Sequence, residues 1–437
     1  MIVLFSLIAI FIAWIWVDYF RLIDVYEKEK LIYFIITFML GGSSVFIVLI
    51  LHQLFVVPSG AVLTGEFVND FIYSTLAIGA IEELAKLIPF LFALLFFKKE
   101  INEPLDYLVF ICISALGFSA VENVLYFKNH GAELINGRAI LSTVGHMFDT
   151  ALIAYGVILY KYHPKKYSWW IIVLFFAFAA LSHGFYDVWL LYEGTRNWGF
   201  IITIVYFLFT ISWFAIILNN ALNNSPFFTY KKVVNPALVV KRLLLYYVAV
   251  FIIALFTVSY YSGLQNALIN FIASIATTAF VVFVTCFRMS RFNLVKGRWE
   301  KIRFQLPFYI ETSKYGFKTT FRIRGNSYNE AYINVFYHEH FYLQPLDENE
   351  SYLKKTKLAY IERKLFLKGT TTYYLARVYL SNNTNSEYEY VMLKPKTRGT
   401  ILKNDYEPIV GVMKKVMGPK NKYTFEEWAI ARARTED

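Results

Sequence analysis

The chain has 437 residues, 57% of them hydrophobic and 19% aromatic, with a mean hydropathy of +0.45 and a formal net charge of +11. This composition excludes an ordinary soluble domain and points to a polytopic membrane protein. Its basic residues gather at the ends of apolar stretches and in the C-terminal third, where membrane topology accounts for them, so no nucleic-acid partner is expected.

The first apolar stretch, 2 to 17, begins without a preceding Lys or Arg. It runs into Trp14, Trp16 and Tyr19 rather than small residues, which makes it a retained span and not a cleavable signal. Eight further stretches follow, at 31 to 57, 71 to 97, 105 to 127, 139 to 160, 169 to 191, 199 to 219, 243 to 259 and 265 to 287. Each is long enough to cross, since about 20 residues at ~1.5 Å per residue span the ~30 Å hydrocarbon layer. The expected fold is thus a polytopic all-α membrane protein of about nine transmembrane helices. Cys112 and Cys286 lie inside apolar runs and read as packing residues, not as a disulfide or a thiolate metal site.

The loops alternate in charge. Loops one, three, five and seven, with the segment after the last span, hold seventeen Lys and Arg residues; the other four loops hold Lys128, Arg138 and Arg196. The positive-inside rule then puts the N-terminus outside and the C-terminal region in the cytoplasm, as a multi-pass protein of the cell's inner (cytoplasmic) membrane. Residues 1–289 form the expected helical domain. Residues 290–437 are polar, Tyr-rich and alternating, as in Tyr373-Tyr374-Leu375-Ala376-Arg377-Val378, and predict a small β-rich cytoplasmic domain. Ser381 to Ser386 reads as a hairpin loop, and 425 to 434 as a short helix. His338 and His340 share one face of a predicted strand, and surface histidines are the simpler reading than a metal pair.

Four of the spans carry ionisable residues unsuited to lipid: Glu82, Glu83 and Lys86; Glu122; His146 and Asp149; His183 and Asp187. A charge near the bilayer centre costs from a few kcal/mol to ~10 kcal/mol, so such groups face one another or a wet cavity. The expected orientation sets Glu82, Glu122, His146 and His183 roughly 8 to 16 Å below the outer surface, although two of the spans run inward and two outward. A common depth argues for one shared site.

Glu82 and Lys86 stack at i and i+4 while Glu83 points elsewhere, so one carboxylate can be held while its neighbour works. The plainer reading is an internal salt bridge. Glu122 and Asn123 follow small residues Ala115, Gly117, Ser119 and Ala120, which permit close helix approach; an interhelical hydrogen-bond pair is the plainer alternative. His146 with Asp149, and His183 with Asp187, pair an imidazole with a carboxylate on one helical face, which orients a metal ligand or a general base. Two chemistries remain open. Glu122, His146 and His183 could hold Zn²⁺ or another divalent ion, with Glu82 or Glu83 as base. Alternatively, the carboxylate pair and His146 activate water without metal, with Asn123 or His183 stabilising the oxyanion.

Glu82-Glu83-Leu84-Ala85-Lys86, Phe118-Ser119-Ala120-Val121-Glu122-Asn123, the His146 helix and the His183 helix occur in the order and on the successive spans of PrsW-type intramembrane proteases, which the chain resembles over roughly 30 to 220. That family is similar to the CAAX-prenyl endopeptidase and Abi group, which shares the double-Glu motif. The resemblance implies an intramembrane metalloprotease or glutamate-type peptidase that cuts a membrane-protein substrate near the extracytoplasmic side, an anti-sigma factor being the best-known kind. Two further spans and the 290–437 region exceed the compact family core, and substrate delivery or regulation by a cytoplasmic partner is the natural role for the latter. His-Glu-x-x-His, Gly-x-Ser-x-Gly and Gly-x-Gly-Asp are absent, which disfavours zincin, serine and aspartyl chemistry. The rival readings are an ion- or proton-coupled transporter, though no internal repeat is evident, and a catalytically silent receptor.

Overall fold

The computed structural model describes residues 1–302, apart from 165, 196, 229–233, 293–296 and 298, and six strands beyond them. The chain divides into two units, Met1–Tyr309 and Ile310–Asp437. The first is helical: α1 (Ile2–Ile23), α2 (Leu31–Leu51), α3 (Phe67–Tyr73), α4 (Ile81–Phe96), α5 (Pro104–His130), α6 (Thr143–Tyr162), α7 (Trp170–Leu191), α8 (Gly199–Asn223), α9 (Pro236–Ser262) and α10 (Leu264–Arg288). Three π-helical segments, His52–Val56, Ser74–Ala80 and Arg138–Ser142, interrupt the regular turns.

Eight helices among the described residues are long and apolar enough to cross a membrane. The sequence leads one to expect nine. The difference is the third stretch, which is a continuous helical run from α3 through Ser74–Ala80 to α4 but is interrupted in geometry and carries Glu82, Glu83 and Lys86. The groups that make it chemically interesting also lower its apolarity. Elsewhere the outer surface is what a bilayer requires: Met39, Leu95 and Ile272 are 67%, 76% and 66% exposed, with no water-soluble counterpart of such a surface expected.

α5 is the central post. Pro104 at its first turn and a reciprocal capping box between Glu103 and Asp106 fix where it starts. From Pro104 to Ala120 every residue is buried, against α1, α2, α4, α6 and α8. Gly41 and Gly117 allow α2 and α5 to touch backbone to backbone, since a Cβ on Gly117 would collide with the Phe38 carbonyl and one on Gly41 with that of Ser114. α6 is nearly as enclosed, and α7 packs on it. Outside this core, α9 and α10 pair with each other, and α1 is joined to them by the Arg242 fork on Asp18 (2.8 and 2.9 Å) and by Tyr19 donating to the Met289 carbonyl (2.9 Å).

The second unit contains β1 (Tyr315–Phe321), β2 (Asn329–Val335), β3 (His340–Pro345), β4 (Leu358–Phe366), β5 (Thr372–Tyr379) and β6 (Tyr388–Leu393). They form one antiparallel meander in sequence order, with a register irregularity between Ile361 and Arg363. His340 opens β3, whereas His338, the 381 to 386 loop and the 425 to 434 helix lie outside the described residues.

Candidate active site

The π-helical segment Ser74–Ala80 immediately precedes the Glu82 turn, and Arg138–Ser142 precedes the His146 turn. An inserted residue in a helix re-aims the side chains that follow it, which is why such segments gather at functional sites. Gly79 and Gly184 seat the first segment on α7: a Cβ on Gly184 would strike the backbone and hydroxyl of Thr75, and one on Gly79 would lie 2.7 Å from the Ala180 carbonyl. That contact brings the double-glutamate turn against His183.

Lys86 is the hub. Its ammonium lies 2.8 Å from Glu83 Oε1, 3.2 Å from Glu82 Oε2 and 2.9 Å from His146 Nδ1, above the Phe118 ring. Glu83 is sealed from all sides, accepting from Thr150 Oγ1 at 2.7 Å and meeting His183 Nδ1 at 2.9 Å. Glu82 is different: its side chain is 13% exposed, and its Oε2 is 3.6 Å from His183 Nε2. His183 Nε2 also lies 3.4 Å from Asp187 Oδ2, the i and i+4 pair expected from sequence.

His146 does not pair with Asp149. Its Nε2 is 2.7 Å from Glu122 Oε2 and its Nδ1 faces Lys86, while Asp149 accepts from Ser182 across the α6 and α7 interface. An i, i+3 offset leaves the two side chains on slightly different headings, and α7 captures the carboxylate. Asn123 is buried and committed, its amide donating to Thr143 Oγ1 at 3.2 Å and its carbonyl accepting from Arg138. Arg138 also grips Glu122 at 2.5 Å and lies over the Tyr126 ring. Glu122 and Asn123 are therefore joined through Arg138.

Arg138, Thr143, Thr150, Ser182 and Tyr206 are functional neighbours that the sequence reading missed. In the sequence Arg138 reads only as a loop charge, and its one signal is that it lies about two turns before His146. Thr150, one turn after His146, carried a similar signal.

Two groups of three donors converge, with ligand atoms within 4.8 Å of one another: Glu82, His146 and His183, and Glu83, Asp149 and His183. Glu122 belongs to neither, being turned to His146 and Arg138. In type, two imidazoles and a carboxylate suit a catalytic Zn²⁺ with an open position. Five carboxyls, those of Glu82, Glu83, Glu122, Asp149 and Asp187, stand beside the two cations Lys86 and Arg138. The same donors are shared with the Lys86 ammonium, so a cation and Lys86 compete for Glu82 and His146.

Imidazoles, carboxylates and a lysine from separate helices of a multi-pass helical protein thus meet in one buried cluster, the set of groups that a membrane-embedded hydrolase requires. Residues 29–217 match the family model described as PrsW family intramembrane metalloprotease. Relatives include the Protease PrsW of Halalkalibacterium halodurans, 28% identical over 201 residues covering 45% of this chain and 87% of that protein. Those of Geobacillus kaustophilus and Clostridioides difficile are 28% and 27% identical, covering 46% of this chain each and 83% and 84% of their own lengths. No solved structure matches the chain. Residues 29–217 are thus similar to PrsW-type intramembrane proteases, and α1, α9, α10 and the strands lie outside the matched residues.

Proposed function

We propose that the Glu82 carboxylate activates the water that cleaves a membrane-protein substrate, and that Glu83, Lys86, His183 and the Glu122 and His146 pair hold it in position. The observation that carries this reading is the difference in access between adjacent glutamates: Glu83 is buried under three partners, whereas Glu82 keeps 13% of its side chain exposed. A water beside Glu82 Oε2 gives up its proton to that oxygen as its own oxygen attacks the scissile carbonyl carbon. His183 Nε2 lies close enough to Glu82 to stabilise the oxyanion, and Glu82 then returns the proton to the departing amine as the C–N bond breaks. Lys86 pairs with Glu83 and fixes its position, and Arg138 does the same for Glu122. In a metal-dependent form of the reaction, Glu82, His146 and His183 would instead hold a divalent ion such as Zn²⁺, which would supply the Lewis acidity for the water and the carbonyl in place of the Glu82 base and the His183 donor.

The run from α3 to α4 completes the membrane-embedded set as a ninth span, with the N-terminus outside and the site in the outer half. The cut then falls toward the extracytoplasmic side, as suits an anti-sigma-factor-like regulator, and residues 290–437 form a cytoplasmic domain that engages a partner or delivers substrate.

The deciding experiment compares wild type with Glu82→Gln, Glu83→Gln and His183→Ala, for bound metal and for cleavage of membrane proteins that accumulate in cells lacking the enzyme. Product from wild type alone, with metal lost in His183→Ala, is the expected result. Cleavage without metal assigns the chemistry to the glutamates, and unchanged substrates in every case remove the hydrolytic reading.

A further inference from the structure

A cavity of about 590 Å³ adjoins the candidate site between α6, α7 and α8, with Phe71 of α3 at its edge. This is within the ~300–1,000 Å³ usual for ligand pockets. Its long wall is α7, from Phe175 to Phe185, ten residues or about 15 Å of helix. Phe148 and Leu152 of α6 and Trp213 of α8 face that wall. Phe178 and Leu181 are 48% and 43% exposed, so the cavity opens sideways, toward lipid. At the catalytic end stand two hydroxyls: Tyr206 donates to Ser182 Oγ at 2.8 Å, and Ser182 donates to Asp149, whose carboxylate belongs to the second donor group with Glu83 and His183.

We propose that this cavity is the substrate-binding cleft for an unwound apolar segment of the membrane-spanning substrate, accepting two large apolar side chains two residues apart on one side of the scissile bond. The assignment rests on the hydrolytic reading above and adds the substrate class. Its argument is geometric. Fifteen ångströms correspond to about four residues of extended chain, of which alternate ones point to one face. A peptide also needs partners for backbone N–H groups where it leaves helical form, and the Ser182 and Tyr206 hydroxyl oxygens, whose own hydrogens go to Asp149 and Ser182, supply acceptors at the end nearest His183. An acyl chain at that depth has no polar group for these hydroxyls. Ile302, beyond the family-matched residues, contributes to the lining, so the appended segment helps shape the cleft.

The test uses the full chain in lipid nanodiscs and a synthetic membrane-spanning Leu/Ala peptide carrying photoreactive benzoylphenylalanine at one position. In Glu82→Gln, which leaves the peptide uncut, crosslinks should map to 175–185 of α7 and be displaced by excess unlabelled peptide. Adding Leu181→Trp, which fills the opening, should reduce labelling at least five-fold, and adding Phe178→Ala, which widens it, should preserve or raise labelling. With wild type, cleavage of a peptide series should fall when the paired apolar residues become Ala; Phe178→Ala should shift preference toward larger side chains. Labelling spread over other helices, or unaffected by Leu181→Trp and Phe178→Ala alike, overturns the cleft. So does labelling of 175–185 by a photoreactive phosphatidylcholine that the peptide fails to displace, which would make the cavity a lipid site. Competed crosslinking with no cleavage by wild type supports the cleft and overturns hydrolysis.

Discussion

The two glutamates differ by one position in sequence and by their whole environment in space. Glu83 shares an ammonium, a hydroxyl and an imidazole inside the protein; Glu82 shares the same ammonium at longer range and keeps an open side. Glu82→Gln should therefore reduce turnover by about 10² to 10⁴-fold without altering expression or thermal stability, the range for loss of a general base. Lys86→Met belongs to the other category. It leaves Glu83 buried with its main counter-charge gone, a cost of roughly 3–5 kcal/mol, and the variant should melt well below wild type in detergent. If Lys86→Met retained full stability while losing activity, Lys86 would be a purely catalytic group. Arg138→Gln frees Glu122 and Asn123 together, so kcat should fall with little change in KM, since neither residue lines the proposed cleft.

At the level of elements, the site depends on how closely α7 meets the Ser74–Ala80 segment. Gly184→Val forces a side chain into Thr75 and should push the two apart, costing about 1–3 kcal/mol by overpacking and separating His183 from Glu83. Turnover should suffer more than stability, because a shift of an ångström spoils catalytic geometry before it melts a helix pair. The loop between α1 and α2 has a pH response of its own. Burial holds the Glu29 carboxyl up at about 8, with Glu100, Asp24, Glu27 and Glu103 adding to the effect. A carboxyl raised in this way stays protonated in the folded chain where the unfolded chain has already ionised. The folded state then binds more protons between the ordinary value of 4.5 and about 8, and stability falls as pH rises through that window. Tm measured from about pH 5 to pH 8 should decline, and Glu29→Gln should flatten that decline.

For the whole molecule, residues 29–217 pack against elements that the family match does not cover. α1 buries Trp16, Tyr19 and Phe20 completely, and the segment after α10 is fastened to α8: Asn220 accepts from the Glu300 amide at 2.6 Å and donates to the Glu300 carbonyl at 2.8 Å, while the Gly297 amide donates to the Asn223 carbonyl at 2.7 Å. Asn220→Ala removes the paired bonds and should open this strap to limited proteolysis near 297 to 302, with a loss of about 1–3 kcal/mol for the groups left unsatisfied. The expected orientation is checked separately: single cysteines beside Lys98 and Lys161 should react only after the membrane is permeabilised, and one beside Lys128 without it.

The sequence alone determined the helical membrane character, because twenty-residue apolar runs in this composition have no other stable environment. It also identified Glu82, Glu83, Lys86, Glu122, His146 and His183 as belonging together, because the cost of ionisable groups in lipid is paid only where they meet. What it could not supply was the pairing. Helical spacing suggested His146 with Asp149, yet Glu122 and Lys86 take the imidazole, and Ser182 takes the carboxylate. Periodicity assumes regular 3.6-residue turns, and the π-helical segments before Glu82 and His146 break that assumption at the turns that carry these side chains. Partners on different helices are chosen by backbone approach, here through Gly79 and Gly184, and that is a property of the packed bundle. The same holds for the cavity beside Ser182, whose walls come from four helices and a strap, so no single stretch of sequence contains it.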